Sequence, residues 1–260
     1  DAKSTSMAML FQSDIKRGYG LHEDGYPIPL NEAAKYHYDI CLDNYGGKTK
    51  NKKSYQELIY EISEIEYNNE KPSLFLNENK CKSFRDNFFK DNNLNENDKI
   101  IILNTGCGPV YPHKKWTYKG YKKLISYLDS AFCKIILTGS ESEIEKNNKL
   151  FSDFKHRSDL INTTGRYSIE EFCYLLNLSN VVVTGDTVAL HIAISLKKNI
   201  ISFFGPTPHQ EVDLFGLGKK FVREELNCLN CYDQFPCPHN GKCMSLITSE
   251  EVYDSILEYI

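Results

Sequence analysis

From about residue 99 onward, short apolar runs alternate with amphipathic stretches, and this rhythm limits the fold more than any other feature of the chain. "KIIILN" (Lys99–Asn104) reads as a buried strand and "YKGYKKLISYLDS" (Tyr118–Ser130) as an amphipathic helix. "CKIILTG" (Cys133–Gly139) is a second strand, followed by the polar helix "ESEIEKNNKLF". A short strand "LINTTG" precedes "SIEEFCYLLNLS", where Ser168 and Glu171 have the spacing of a capping box. Val181–Val183, a helix running to about Lys198, and the strand Ile200–Gly205 complete the series. Lys197 and Lys198 stand where a helix C-terminus favours positive charge. Thr248 and Glu251 form another capping box, opening a terminal helix "SEEVYDSILEYI". Strands that alternate with helices make βαβ units and a parallel sheet covered on both faces. Residues 96–260 are therefore expected to form a doubly wound α/β domain.

Residues 1–95 are less regular. A helix is expected near Ser54–Ile65, a short strand at Ser73–Leu76 and a helix near Asn79–Asp91, with the polar Asn92–Lys99 as an interdomain linker. This part holds no complete βαβ set, and the chain opens with Asp1, so it is expected to be the end of a larger domain whose start is absent. The basic run Lys48–Ser54 could attract an acidic partner, but a solvated loop is the simpler reading. Composition excludes several classes. A formal charge of −4 offers no footprint for nucleic acid. No apolar run approaches the roughly 18 residues of a membrane span, and "SMAMLF" is too short for a secretory signal. Of nine cysteines, Cys41, Cys81, Cys107, Cys133 and Cys173 are scattered singly, as expected of reduced thiols in a cytoplasmic protein.

Parallel α/β sheets bind ligands beyond the carboxyl ends of their strands, where the strand order reverses. "VVVTGDTVALHIA" has the form of such a place. Gly185 permits a tight turn, and the backbone N–H groups of Thr187 and Val188 open a helix, making an anion site suited to a pyrophosphate. His191 lies about one turn further in. Asp186 or Thr187 could simply cap the helix, and His191 could equally be a satisfied core residue. The loop "NTGCGPVYPHKKW" after the first strand brings Asn104, Thr105, Gly106 and Gly108 to a second strand end, with Lys114 or Lys115 able to reach a phosphate. It is not a P-loop. Glu143 follows the next strand, where a carboxylate can accept ribose hydroxyls, although a first-turn glutamate is also favoured by the helix dipole. Together the three strand ends supply a phosphate cation, a hydroxyl acceptor and an anion-binding helix start, which describes a nucleotide-diphosphate site. No GxGxxG is present, which disfavours NAD.

Cys228, Cys231, Cys237 and Cys243 form C-x2-C-x5-C-x5-C. Four thiolates so spaced can hold Zn²⁺ or iron tetrahedrally, as a structural site with no open position. The other reading is a compact loop of reduced thiols.

"ILNTGCG…KKW", "LTGSESEIEKN", "VVVTGDTVALHIAISLKKNIISFFGPT", "EVDLFGLG" and "CLNCYDQFPC…CM" follow one another as in glycosyltransferase family 9, and the chain resembles its ADP-heptose:lipopolysaccharide heptosyltransferases over about residues 100–247. The resemblance implies a GT-B fold, with the C-terminal Rossmann-like, donor-binding domain nearly complete and the N-terminal, acceptor-side domain truncated. It implies an ADP-sugar donor, heptose or a related sugar, and transfer with inversion to a lipopolysaccharide core or other glycan. By position, Lys114 would neutralise donor phosphate and Glu143 would hold the ribose. Tyr167 would contact adenine, Asp186 the sugar or its loop, and Thr187 and Val188 the pyrophosphate with His191 nearby. Phe203–Thr207 would line the far wall. Lys114, Asp186 and His191 are the residues expected to bear on catalysis, with no metal required for the chemistry. The family's general base is an aspartate in the first loop of the N-terminal domain, and no segment here matches it. A non-catalytic nucleotide-sugar-binding module or fragment is therefore the alternative. The acceptor class implied is a lipid-linked oligosaccharide or a protein, met in the cytoplasm or at the inner face of the membrane.

Overall fold

Runs such as Ile100–Leu103 and Val181–Val183 bury side chains on both faces, which only a sheet covered on each side allows. In the computed structural model, structure is described for residues 2–42, 51–108, 111–128, 133–231 and 237–260. These form two compact units, one of residues 1–70 with 208–213 and the other of residues 71–207 with 214–260.

The larger unit is the doubly wound α/β domain, and its fold is α/β of the GT-B type. Its strands are β3 (Ile100–Asn104), β4 (Lys134–Thr138), β5 (Leu160–Asn162), β6 (Val181–Gly185), β7 (Asn199–Phe203) and β8 (Gly218–Phe221). They lie in the order β5-β4-β3-β6-β7-β8 with every pairing parallel. The helices are α4 (Glu78–Asp91), α5 (Tyr118–Tyr127), α6 (Ile144–Asp153), α7 (Ile169–Asn177), α8 (Val188–Ser195), α9 (Lys242–Ser245) and α10 (Ser249–Leu257). Both expected capping boxes form: Ser168 Oγ accepts from Glu171 N, and Thr248 Oγ1 from Glu251 N, with each glutamate reaching back to its cap N–H. The core gathers around Trp116, whose Nε1 donates to the Ile247 carbonyl at 3.1 Å and whose ring meets Tyr121 and Phe203. Ser249 Oγ on α10 donates to the Gly120 carbonyl on α5.

Three expectations are corrected. The boundary between units falls at residue 70 rather than 95, because α4 packs on α7: Phe84 meets Tyr167 edge-on at 5.2 Å and Tyr174 at 5.9 Å, and Lys80 pairs with Glu170 at 3.0 Å. Ser73–Leu76 forms no strand; Leu74 N donates to the Ser195 carbonyl at the end of α8 instead. Strand β8 was not anticipated, since its "GKKF" is short and polar, as an edge strand can be.

The smaller unit contains α1 (Ala2–Leu10), an antiparallel pair β1 (Tyr19–Leu21) and β2 (Pro27–Pro29), α2 (Glu32–Leu42) and α3 (Tyr55–Ser63). Ser54 and Glu57 close a capping box on α3, and Ala34, Ile40, Leu58 and Ile62 make its core. The first residues of the basic run, Lys48–Lys50, lie outside the described residues. Among the described residues no helix is long and apolar enough to cross a membrane.

Candidate functional site

The order β5-β4-β3-β6-β7-β8 reverses between β3 and β6. The chain leaves β3 toward one edge and β6 toward the other, so the loops beyond these two strands diverge and open a crevice. A cavity of about 650 Å³ lies there, within the range of small-molecule sites. It is lined by Asn104, Gly106, Lys114, Glu143, Tyr167, Asp186, Thr187, Val188 and His191. Every residue expected at the donor site is thus at the cavity except Thr105. Thr105 is buried, and its hydroxyl donates to Asn147 Oδ1 at 2.7 Å, because strand alternation turns it to the opposite side from Asn104.

Asn104 ties the two strand ends together. Its Nδ2 donates to Thr184 Oγ1 at 2.9 Å and to Thr187 Oγ1 at 3.3 Å, and its own carbonyl accepts from the Tyr121 hydroxyl at 2.9 Å. These bonds also decide how α8 begins. Thr187 is its N-cap by position, yet makes no side-chain cap hydrogen bond, because its hydroxyl is engaged with Asn104 and Thr184. No side chain of Thr187 covers the first-turn N–H groups, so the helix dipole faces the cavity uncapped. Asp186 does not cap either. Its Oδ2 pairs with Lys114 Nζ at 2.7 Å, and its Oδ1 stands 3.9 Å from His191 Nε2. The His191 side chain is 59% exposed, so it is not a packed core histidine.

The adjacent lysines diverge. Lys114 closes a short 3-10 turn (Pro112–Lys114) and faces the cavity, whereas Lys115 pairs with Glu143 Oε1 at 2.8 Å. Glu143 is 1% exposed and also accepts from Ser140 N at 3.0 Å, Ser140 Oγ at 2.6 Å and Ser142 Oγ at 2.7 Å. Burial pushes its pKa up, but the hydrogen bonds from Lys115, Ser140 and Ser142 outweigh it and hold the carboxyl below the usual range. Gly106 makes this seat possible, since a Cβ there would stand 2.6 Å from Glu143 Oε2.

The opposite wall combines Tyr167 with Ile169, Phe172 and the exposed Arg166. Burial raises the Tyr167 pKa. Val188 and Ile169 expose 61% and 64% of their surface beside the cavity, an apolar lining that soluble surfaces usually avoid. Sequence reasoning missed Arg166; its signal was a cation directly after a glycine at a strand end. Phe203–Thr207 were expected at the far wall but are buried and line no part of the cavity, because Phe203 is packed against Trp116.

The nine cysteines form no disulfide. Cys228, Cys231, Cys237 and Cys243 lie near enough that the neighbouring thiols, after burial, add to the upward shift of Cys243 to about 11. Four thiols are the right donor chemistry for zinc or iron. Among the described residues, however, no group of three or more His, Cys, Asp or Glu side chains is placed to hold a metal. Residues 232–236, which join Cys231 to Cys237, lie outside the described residues.

Comparison with known proteins follows the same lines. The sequence profile of glycosyltransferase family 9 (heptosyltransferase) matches residues 45–239, more than half of the chain. Lipopolysaccharide heptosyltransferase 2 of Salmonella typhimurium is 24% identical over 98 residues, which are 37% of this chain and 28% of that protein. Among solved structures, the glycosyl transferase family 9 protein from Veillonella parvula superposes with a TM-score of 0.64 at 16% identity, over 81% of this chain and 61% of that one. E. coli heptosyltransferase WaaC with ADP-2-deoxy-2-fluoro heptose superposes with a TM-score of 0.50 at 18% identity, over 79% and 54%. The chain thus covers little more than half the length of these solved relatives.

Proposed function

The chain belongs to glycosyltransferase family 9, and from that premise we propose that the cavity between the ends of β3 and β6 binds the ADP part of an ADP-activated heptose or related sugar. The observation that carries the reading is the Lys114–Asp186 pair set against the uncapped start of α8. A pyrophosphate placed there meets an ammonium, a row of backbone N–H groups and a helix dipole of favourable sign. Tyr167, edge-on to Phe84, offers a ring face for adenine at the other end. That a related heptosyltransferase was solved with an ADP-linked heptose analogue supports this choice of donor.

Glu143 is the proposed ribose acceptor, with one condition. A carboxylate offers about four lone-pair sites, and four donors already fill them. A ribose hydroxyl therefore has to replace one of these donors, most readily the half-exposed Lys115 or Ser142.

In the proposed reaction an acceptor hydroxyl forms the new bond at the anomeric carbon, the bond to ADP breaks, and configuration inverts. The leaving diphosphate takes the electron pair, and its charge develops against Lys114 and the α8 N–H groups. This use of charge calls on no metal. His191, beside Asp186, is placed to donate to the same oxygens. A lipid-linked oligosaccharide or a protein as acceptor, and action at the cytoplasmic face of a membrane, belong to the same proposal. A structural zinc or iron at the four cysteines does too, and less than about a tenth of an equivalent of metal in purified protein would remove that part.

The test is calorimetric titration of the chain with ADP and UDP, followed by a transfer assay with ADP-heptose. Selective binding of ADP supports the reading, and absence of binding at millimolar ADP overturns it. Binding without transfer in any acceptor context would favour a non-catalytic nucleotide-sugar module.

A further inference from the structure

The smaller unit holds a chain of three polar side chains that the proposed reaction does not use. His37 and Cys41 are four residues apart on α2 and share one helix face. Cys41 Sγ lies 3.7 Å from His37 Nε2. The other ring nitrogen, Nδ1, lies 2.5 Å from the Tyr19 hydroxyl on β1, and that hydroxyl is 3.2 Å from the Ala34 carbonyl. The Tyr19 and His37 rings meet edge-on with centroids 6.0 Å apart. Cys41 is exposed, whereas Cys133, Cys173 and Cys243 are buried.

Counting protons gives this chain a direction. A phenol has one proton, and a carbonyl can only accept. If Tyr19 donates to Ala34, the short contact at Nδ1 is filled by the imidazole N–H, and Nε2 is the bare nitrogen turned toward the Cys41 thiol. If Tyr19 donates to Nδ1 instead, Nε2 carries the proton and points it at sulfur. Both arrangements stabilise a thiolate at Cys41. Burial, and after it the neighbouring Cys41, Tyr38 and Tyr55, push the Tyr19 pKa to about 12, so the phenol stays protonated across the neutral range and holds the ring in place.

We propose that Cys41 is a thiol activated by His37, with Tyr19 as the positioning residue, and that it exchanges with small accessible disulfides of the glutathione type. In the step, the thiol proton passes to His37 Nε2 and the Cys41 sulfur attacks one sulfur of the disulfide. A new S–S bond forms to Cys41 and the old one breaks. The leaving sulfur carries off the electron pair and takes the proton from the imidazolium, so Cys41 is oxidised to the disulfide level as the leaving sulfur is reduced to a thiol.

The full chain is treated with excess glutathione disulfide from about pH 6 to about pH 9, and adducts at Cys41 and Cys81 are quantified by peptide mass spectrometry. The titratable groups facing this chain are Tyr38 on α2 and Tyr55 on α3, and these are left unchanged. The Cys41 rate is expected to have its midpoint near pH 7, against about 8.5 for an ordinary thiol. His37→Gln should return it to about 8.5 and Tyr19→Phe should move it part of the way. At pH 7 the His37→Gln rate falls only about threefold, because the loss of thiolate is partly offset by the greater nucleophilicity of a more basic sulfur. The Cys81 rate, unchanged across variants, reports that the fold is intact. A wild-type midpoint near 8.5 overturns the proposal with no variant needed, and so does a midpoint that His37→Gln leaves unmoved.

Discussion

Lys114→Ala is expected to weaken ADP binding, and Asp186→Asn to strengthen it. The two side chains are 2.7 Å apart and only 14% and 17% exposed. At an effective dielectric near 20 their gross attraction is about 6 kcal/mol, most of which desolvation offsets. Couplings measured for pairs in contact are about 0.5–3 kcal/mol. In the free protein Asp186 therefore competes with an incoming pyrophosphate for the same ammonium. Removing Lys114 takes away a charge-assisted contact worth about 1.5–3 kcal/mol and strands a carboxylate opposite two phosphates. The Kd for ADP should rise roughly 10- to 100-fold. Asp186→Asn keeps the shape and removes the competing charge, so Kd should fall about threefold. In the double variant, the loss on removing Lys114 should be smaller by about 1 kcal/mol than in the wild-type background. Isothermal titration calorimetry with ADP measures all four corners of the cycle. If Asp186→Asn weakens ADP as much as Lys114→Ala does, or the two effects simply add, Asp186 is not a competitor and the reasoning is wrong.

Gly106→Ala would put a methyl 2.6 Å from a Glu143 oxygen that is buried and held by four donors, so the carboxylate must move. Overpacking of about 1–3 kcal/mol is expected, read as a lower Tm and weaker ADP binding, and an unchanged Kd would argue against Glu143 as a ligand. Gly120→Ala pits about 1 kcal/mol of helix propensity in α5 against a Cβ 2.5 Å from Trp116 Cε2, and the buried ring should win, lowering Tm; a rise in Tm would show that the ring can yield. The depressed Glu143 carboxyl adds stability that is fully present above its ordinary value of 4.5 and is lost as pH falls through its lower folded value. Acid unfolding of wild type and Glu143→Gln should therefore converge below about pH 4.5, and curves that stay parallel would count against the ion pair with Lys115.

Much of the larger unit was legible because its signals are local. Both capping boxes depend on residues three apart, and five of the six strands are short apolar runs that need no partner to be recognised. The exception, β8, is half polar, and an edge strand gains its place from hydrogen bonds to β7 rather than from its own pattern. Helix α4 was correctly expected, but its membership was not. A helix pattern states which face is apolar and not which body covers it; here Tyr167 and Tyr174 do.

The sequence alone determined that strand ends carry the candidate site, because in a parallel sheet every loop after a strand opens on the same edge. That put Asn104, Glu143 and Asp186 at one edge without any coordinates. Which neighbour faces the cavity was a tertiary matter. Asn104 and Thr105 differ by one residue of strand alternation, and Lys114 and Lys115 by one residue of a short turn, so composition cannot separate either pair. Closure of the sheet separates them, through bonds such as Asn104 to Thr184 across 80 residues of chain and Lys115 to Glu143 across 28. The same closure occupies the Thr187 hydroxyl and leaves the start of α8 uncapped, turning a helix terminus that sequence reads as ordinary into one that can meet an anion.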